Sequence, residues 1–147
     1  MIEESYFENF PEFQTDRLIL RKLEIEDAAA MQQIRSNEEV MIFMDSERHT
    51  TPEYSKNFIE TNLKMYSEKK GLFWAIIHRS TRQFIGDFAY WQIDYKNSRA
   101  EIGYTLNPEF WGKGLMKEAM SQLLNFGFKH LNLHSIEANI NPQNSNS

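Results

Sequence analysis

Three strands in direct succession constrain the fold of this chain more than any other feature. Residues 72–78, 84–93 and 99–106 are rich in aromatic and branched apolar side chains, the types that favour a pleated, half-buried surface. The breaks between them, Arg79-Ser80-Thr81-Arg82 and Asp94-Tyr95-Lys96-Asn97-Ser98, are short and polar, as hairpin connections are. Strands joined this tightly pair antiparallel. The sequence therefore predicts a meander in the second half of the chain.

Helical signals surround it. Arg17-Leu18-Ile19-Leu20-Arg21 is a short apolar run between charges and reads as a strand, after which Ala28-Ala29-Ala30-Met31 favours helix to about Arg35. Thr51-Pro52-Glu53 is a helix start, a capping threonine followed by proline at the first helical position. Tyr54, Phe58, Ile59, Leu63, Met65 and Tyr66 then recur near the 3.6-residue period as far as Gly71. Beyond the meander, Leu115, Ala119, Leu123 and Phe126 form one stripe of a further helix, and 135–140 reads as a last strand. The order predicts an α+β (mixed α/β) layout, with helices packed on a sheet.

With 147 residues the chain suits one domain, residues 1–147, able to bury a core unaided. Its net charge of −5 argues against a nucleic-acid partner, which calls for a basic face, and mildly favours cationic partners such as amines. There is no cysteine, which removes disulfides, thiolate nucleophiles and cysteine-type zinc sites. The acidic start, MIEESYFENF, lacks the features of a signal peptide. The longest apolar run, 72–77, is far too short to span a bilayer. A cytoplasmic protein with no membrane contact is expected.

The stretch NPEFWGKGLMKEAM, residues 107–120, concentrates the chemistry. Two of only six glycines, Gly112 and Gly114, stand one residue apart where a helix begins. Glycine opens backbone angles closed to other residues. The first helical turn adds free N–H donors and the positive end of the macrodipole. Together these make an anion site, and phosphate is its commonest occupant.

Four stretches taken together extend the reading. Thr15-Asp16-Arg17-Leu18-Ile19-Leu20-Arg21, Ile102-Gly103-Tyr104, Trp111-Gly112-Lys113-Gly114-Leu115-Met116 and Asn144-x-x-Ser147 resemble, in order and spacing, the GNAT N-acetyltransferase superfamily. The branch most similar contains the ribosomal-protein-alanine N-acetyltransferases. The resemblance implies a central, largely antiparallel sheet with helices on both faces, and a closing helix and strands that lie beyond residue 147. It implies acetyl-coenzyme A as co-substrate, a primary amine as acceptor, no metal, and the option of a homodimer.

The family's pyrophosphate loop, Arg/Gln-x-x-Gly-x-Gly/Ala, falls on Trp111, Gly112, Lys113, Gly114, Leu115 and Met116. Trp111 and Met116 depart from the pattern, yet the contacts the family makes there are largely backbone N–H groups. The resemblance further implies that Tyr104, Thr105 and Leu106 pair their backbone with the pantetheine arm, as an added strand would. Asn144 and Ser147 match positions near the coenzyme.

Without cysteine, direct attack of the amine on the thioester is the default, and a proton acceptor is needed. Glu101 is the leading candidate for that base, because Ala100, Ile102, Tyr104 and Leu106 alternate with Glu101, Gly103 and Thr105. Asp87 is a lesser candidate, structural or facing the substrate. His130 and His134 lie four apart, but a helix end intervenes and no third metal ligand is evident. Trp74, Phe88 and Trp91 suit either a core or an acceptor pocket, with core as the default. The family's general acid is expected beyond residue 147. The first reading is acetylation of a peptide or protein N-terminal α-amine. A small amine (polyamine, aminoglycoside or amino-acid derivative) is the alternative acceptor, and a non-catalytic acyl-coenzyme A binding module is the rival class. The loops 43–51 and 90–98 are expected to set acceptor identity.

Overall fold

The computed structural model describes residues 1–42, 44 and 47–138. Six strands, β1 (Phe13–Gln14), β2 (Leu18–Lys22), β3 (Leu72–His78), β4 (Phe84–Asp94), β5 (Arg99–Leu106) and β6 (Ser135–Ala138), form one sheet whose spatial order is the chain order. The first five are antiparallel, so the predicted meander is present. The last pairing is parallel, with Arg99–Ile102 beside Ser135–Ala138. Parallel neighbours need a long crossover, and helix α4 supplies it. The helices are α1 (Ala28–Arg35), α2 (Glu38–Met41), α3 (Pro52–Ser67) and α4 (Leu115–Lys129).

Helices cover both faces of the sheet. Leu18, Leu20, Trp74, Ile76, Phe88, Tyr90 and Ile102 pack under the α4 stripe of Leu115, Ala119, Leu123 and Phe126. On the other face Phe73, Ala75, Ile77 and Ala89 pack under Met31, Ile34 and Ile59 of α1 and α3. β3 is thus buried on both sides, which is why its sequence is a continuous apolar run instead of an alternation. Trp74 and Phe88 are sealed in the α4-side core, where the Trp74 indole donates to the Pro11 carbonyl at 2.7 Å. The default reading of both as core holds.

Local signals act where the sequence places them. Thr51 accepts from the Tyr54 amide at 3.1 Å and starts α3. Three features were not anticipated: the two-residue β1, the single turn α2 capped by Asn37, and an N-terminal strap. In the strap Ile2 and Phe7 are buried and the Glu3 amide donates to the Leu131 carbonyl at 3.0 Å. The predicted strand 135–140 is present to Ala138, and its last two positions lie outside the described residues. No helix among the described residues is long and apolar enough to cross a membrane.

Candidate active site

Past the end of β5 the chain is held in a tight sequence of turns. The Asn107 side chain accepts from the Glu109 amide at 3.0 Å and caps the turn Pro108–Phe110. Trp111, with its ring partly exposed, donates from its indole back to the Leu106 carbonyl at 2.8 Å. Gly112 and Gly114 follow with φ of 75° and 76°, the left-handed region that costs any side chain about 1–2 kcal/mol. A Cβ on Gly112 would meet nothing within 4 Å, so the loop is open on that side.

Helix α4 begins at Gly114 with no side-chain cap. Its first internal bond runs from the Glu118 amide to the Gly114 carbonyl at 3.0 Å, so the amides of residues 115–117 point out of the helix end without a helical partner. Leu115 is buried in the core and Met116 packs against it. Leu115 can serve a ligand only through its backbone. Lys113 is exposed, its ammonium 5.4 Å above the Phe110 ring.

The loop is anchored from behind by the chain leading into β2. Arg17 donates from Nε to Glu118 Oε1 at 2.8 Å and from Nη1 to the Lys113 carbonyl at 2.9 Å. Glu118 Oε2 accepts from Thr15 Oγ1 at 2.5 Å and from the Arg17 amide at 2.9 Å. Burial pushes the Glu118 carboxyl up, but the hydrogen bonds from Thr15 and Arg17 outweigh it and hold the group below its ordinary value. The partners lie 101 positions apart, so nothing local in the sequence announces Glu118 as part of this loop.

A second feature opens on the opposite face. A cleft of about 1130 Å³ runs from α3 across β4 to β5, with Tyr54, Phe58, Phe73 and Trp91 among its aromatic lining. A bulge between Trp91 and Asp94, with Gln92 at φ 51°, turns the end of β4 and brings both Gln92 and Ile93 to the cleft. At its inner end the cleft touches Ile102, Gly103 and Tyr104, residues whose side chains alternate between the two faces of β5. The described β5–β6 pairing runs as far as Ile102 and Ala138, the last described residue, and the cleft lies beside it. Gly103 presents no side chain there, and a Cβ would sit 3.9 Å from the Trp91 indole nitrogen, an ordinary contact distance.

Each charged group that lines the cleft has an ion-pair partner. Arg35 pairs with the buried Asp87, Lys70 lies 3.5 Å from Glu68, and Lys69 lies 3.2 Å from Glu4. Asp87 therefore has a structural partner. Glu101 is half-buried on the side away from the α4 core, opposite Trp91 on β4 and Glu137 on β6, and it flanks the cleft without lining it. Tyr104 is half-buried with its ring stacked on Phe88. Leu106 is buried, and Thr105 is buried with no partner for its hydroxyl among the described residues. On the β6 side, Gly103 to Leu106 have no strand partner among the described residues.

Asn144 and Ser147 lie outside the described residues, as does part of the loop 43–51. His130 and His134 are exposed, and no group of three potential metal ligands occurs among the described residues.

Comparison with known proteins agrees with this geometry. The acetyltransferase (GNAT) domain family matches residues 17–147. The chain is 38% identical to an uncharacterized N-acetyltransferase, YoaA, of Bacillus subtilis, over 88% of this chain and 73% of that protein. It is equally identical to the uncharacterized N-acetyltransferase p20 of Bacillus licheniformis, over 90% of this chain and 75% of that one. In fold it resembles a ribosomal-protein-S5-alanine acetyltransferase from Vibrio fischeri, with a TM-score of 0.80 at 23% identity, covering 92% of this chain and 77% of that one. The glycine loop and the cleft both lie within the span that the family matches, and the chain belongs to the GNAT family of acetyl-coenzyme A dependent N-acetyltransferases.

Proposed function

We propose that this protein acetylates the α-amine at the end of a peptide or protein chain, and that the acceptor enters through the aromatic cleft. One observation carries the reading. Among the described residues, β5 has no strand partner on its β6 side from Gly103 to Leu106, with the cleft at one end and the open loop at the other. In this reading the backbone of Tyr104, Thr105 and Leu106 pairs with the pantetheine arm. The amides from Gly112 to Met116 hold the pyrophosphate, with the Lys113 charge beside it and Trp111 fixing the turn. Asn144 and Ser147, outside the described residues, would complete the coenzyme site. The residues present fit that role, because the first-turn amides are uncapped and the space beside Gly112 is empty.

Glu101 receives the proton as the amine attacks the thioester carbonyl, directly or through one water. The C–N bond forms, the C–S bond breaks, and the coenzyme leaves as its thiolate. An α-amine with a pKa of about 7.7–8.0 is roughly one-tenth neutral at pH 7, so a modest base suffices. The paired charges of the cleft favour this acceptor over a polyamine. Its further ammonium groups would enter an apolar, aromatic cleft with no free carboxylate among the described lining residues, and a charge buried without a partner is costly.

The test is acetyl transfer measured with short peptides bearing free or blocked N-termini, and with spermidine. Transfer to free N-termini at more than ten times the rate with spermidine supports the proposal. Faster transfer to spermidine overturns the acceptor, and coenzyme binding without transfer to any amine makes the protein a binding module.

A further inference from the structure

We infer that Arg17 and Glu118 form a positioning brace that aims the Gly114 amide at the bound pyrophosphate. The inference rests on the reading of the 111–116 loop given above. Arg17 is held on two sides: its Nε bonds Glu118 Oε1 at 2.8 Å while its Nη1 bonds the Lys113 carbonyl at 2.9 Å. There are no cis peptide bonds among the described residues, so the Lys113–Gly114 unit is planar and trans. In such a unit the carbonyl and the following N–H point in opposite directions. Fixing the Lys113 carbonyl on the guanidinium therefore turns the Gly114 N–H to the other side of the loop, away from Arg17.

That single bond would leave a two-glycine loop free to rock. Glu118 removes the freedom, because its other oxygen accepts from both Thr15 Oγ1 at 2.5 Å and the Arg17 amide at 2.9 Å. Thr15 is tied in turn, its hydroxyl accepting from the Leu18 amide at 3.1 Å. The brace thus connects the rigid start of β2 to the first turn of α4 through one arginine. The connection uses two separate nitrogens of a planar guanidinium, which the single nitrogen of an ammonium does not reproduce. The loop pays its ordering cost on folding, before ligand arrives.

The brace and simple electrostatics predict opposite outcomes. Glu118 is a carboxylate in the first turn of the helix that faces the anion. If only charge mattered, Glu118→Gln would tighten coenzyme binding, and Arg17→Lys would be silent. Under the brace both variants weaken it, and only for donors that contain the pyrophosphate.

The experiment uses the full chain with two donors, acetyl-coenzyme A and acetyl-pantetheine, which lacks the pyrophosphate. Both variants are expected to raise KM for acetyl-coenzyme A about tenfold, equivalent to about 1.4 kcal/mol, with kcat at saturation held within about twofold. Their KM for acetyl-pantetheine is expected to stay at the wild-type value. Tighter binding by Glu118→Gln, or wild-type behaviour of Arg17→Lys, overturns the inference in favour of charge alone. Equal losses with both donors overturn it in favour of general destabilisation. A wild-type protein that uses the two donors equally well shows instead that the loop does not read pyrophosphate, and the brace's role falls with that reading.

Discussion

Arg35 on α1 and Asp87 on β4, 52 positions apart in the chain, close a two-bond ion pair at 2.9 and 3.1 Å with only 4% and 1% of their side chains exposed. The guanidinium also lies 4.8 Å over the Phe58 ring, which joins it to α3. Breaking one side of such a pair leaves a buried charge uncompensated and costs about 3–5 kcal/mol. Asp87→Asn is expected to lose stability on that scale in urea denaturation. The double change Arg35→Met/Asp87→Val should recover most of the loss, since it leaves no buried charge behind.

Gly112 separates ligand binding from stability. Alanine there meets no atom within 4 Å but must adopt a φ near 75°, a strain of about 1–2 kcal/mol. Wild-type protein at a hundredfold excess of acetyl-coenzyme A over Kd gains about 2.7 kcal/mol, a rise in melting midpoint of roughly 5–10 °C. Gly112→Ala should melt only a few degrees below wild type without ligand, yet lose most of that rise, because its methyl projects into the space beside the loop.

His49 should make the protein acid-sensitive well above the ordinary carboxylate range. Its ring is buried between Tyr54 and Phe58, and Nδ1 lies 2.7 Å from Ser55 Oγ. Burial first, then the nearby Arg35 charge, lowers its pKa to about 4. The unfolded chain binds this proton near pH 6.5 and the folded chain does not. Stability from this group is therefore complete above pH 6.5 and lost progressively as pH falls to about 4, to the order of 3 kcal/mol. Melting points at pH 7 and 5 should differ less in His49→Asn than in wild type.

Glu101→Gln tests the chemistry alone. The substitution keeps the side chain's size at a half-buried site that faces Trp91 and Glu137. Steady-state kinetics should show kcat reduced about a hundredfold, the low end for loss of a positioned base, with KM for acetyl-coenzyme A unchanged. An unchanged kcat would assign proton removal to another group or to solvent.

What was readable in the sequence was what short stretches determine by themselves. Leu72–His78 and Arg99–Leu106 announced their limits through apolar runs ended by polar turns, and α3 through Thr51 and Pro52. The glycines at 112 and 114 do take the left-handed angles their placement implied. Contacts between distant residues were not readable. Arg35 and Asp87, or Arg17 and Glu118, gain their meaning from a meeting of elements that neither neighbourhood encodes. The cleft was half legible: Trp91 lines it, whereas Trp74 and Phe88 belong to the core. Which of the three would line it depends on which face of the sheet each strand register selects.

The strap bears on how the chain is made. Every strand pairs with its neighbour in sequence, so the sheet can assemble in step with synthesis, each new hairpin adding to a finished edge. The strap reaches across the chain instead, since the Glu3 amide bonds the Leu131 carbonyl. At 5–20 residues per second, Glu3 is made roughly 6–25 s before Leu131, the partner of its amide. Phe7 can meet Tyr66 well before then, but the Glu3 amide must wait for Leu131, so the strap latches only over a sheet that is already largely built.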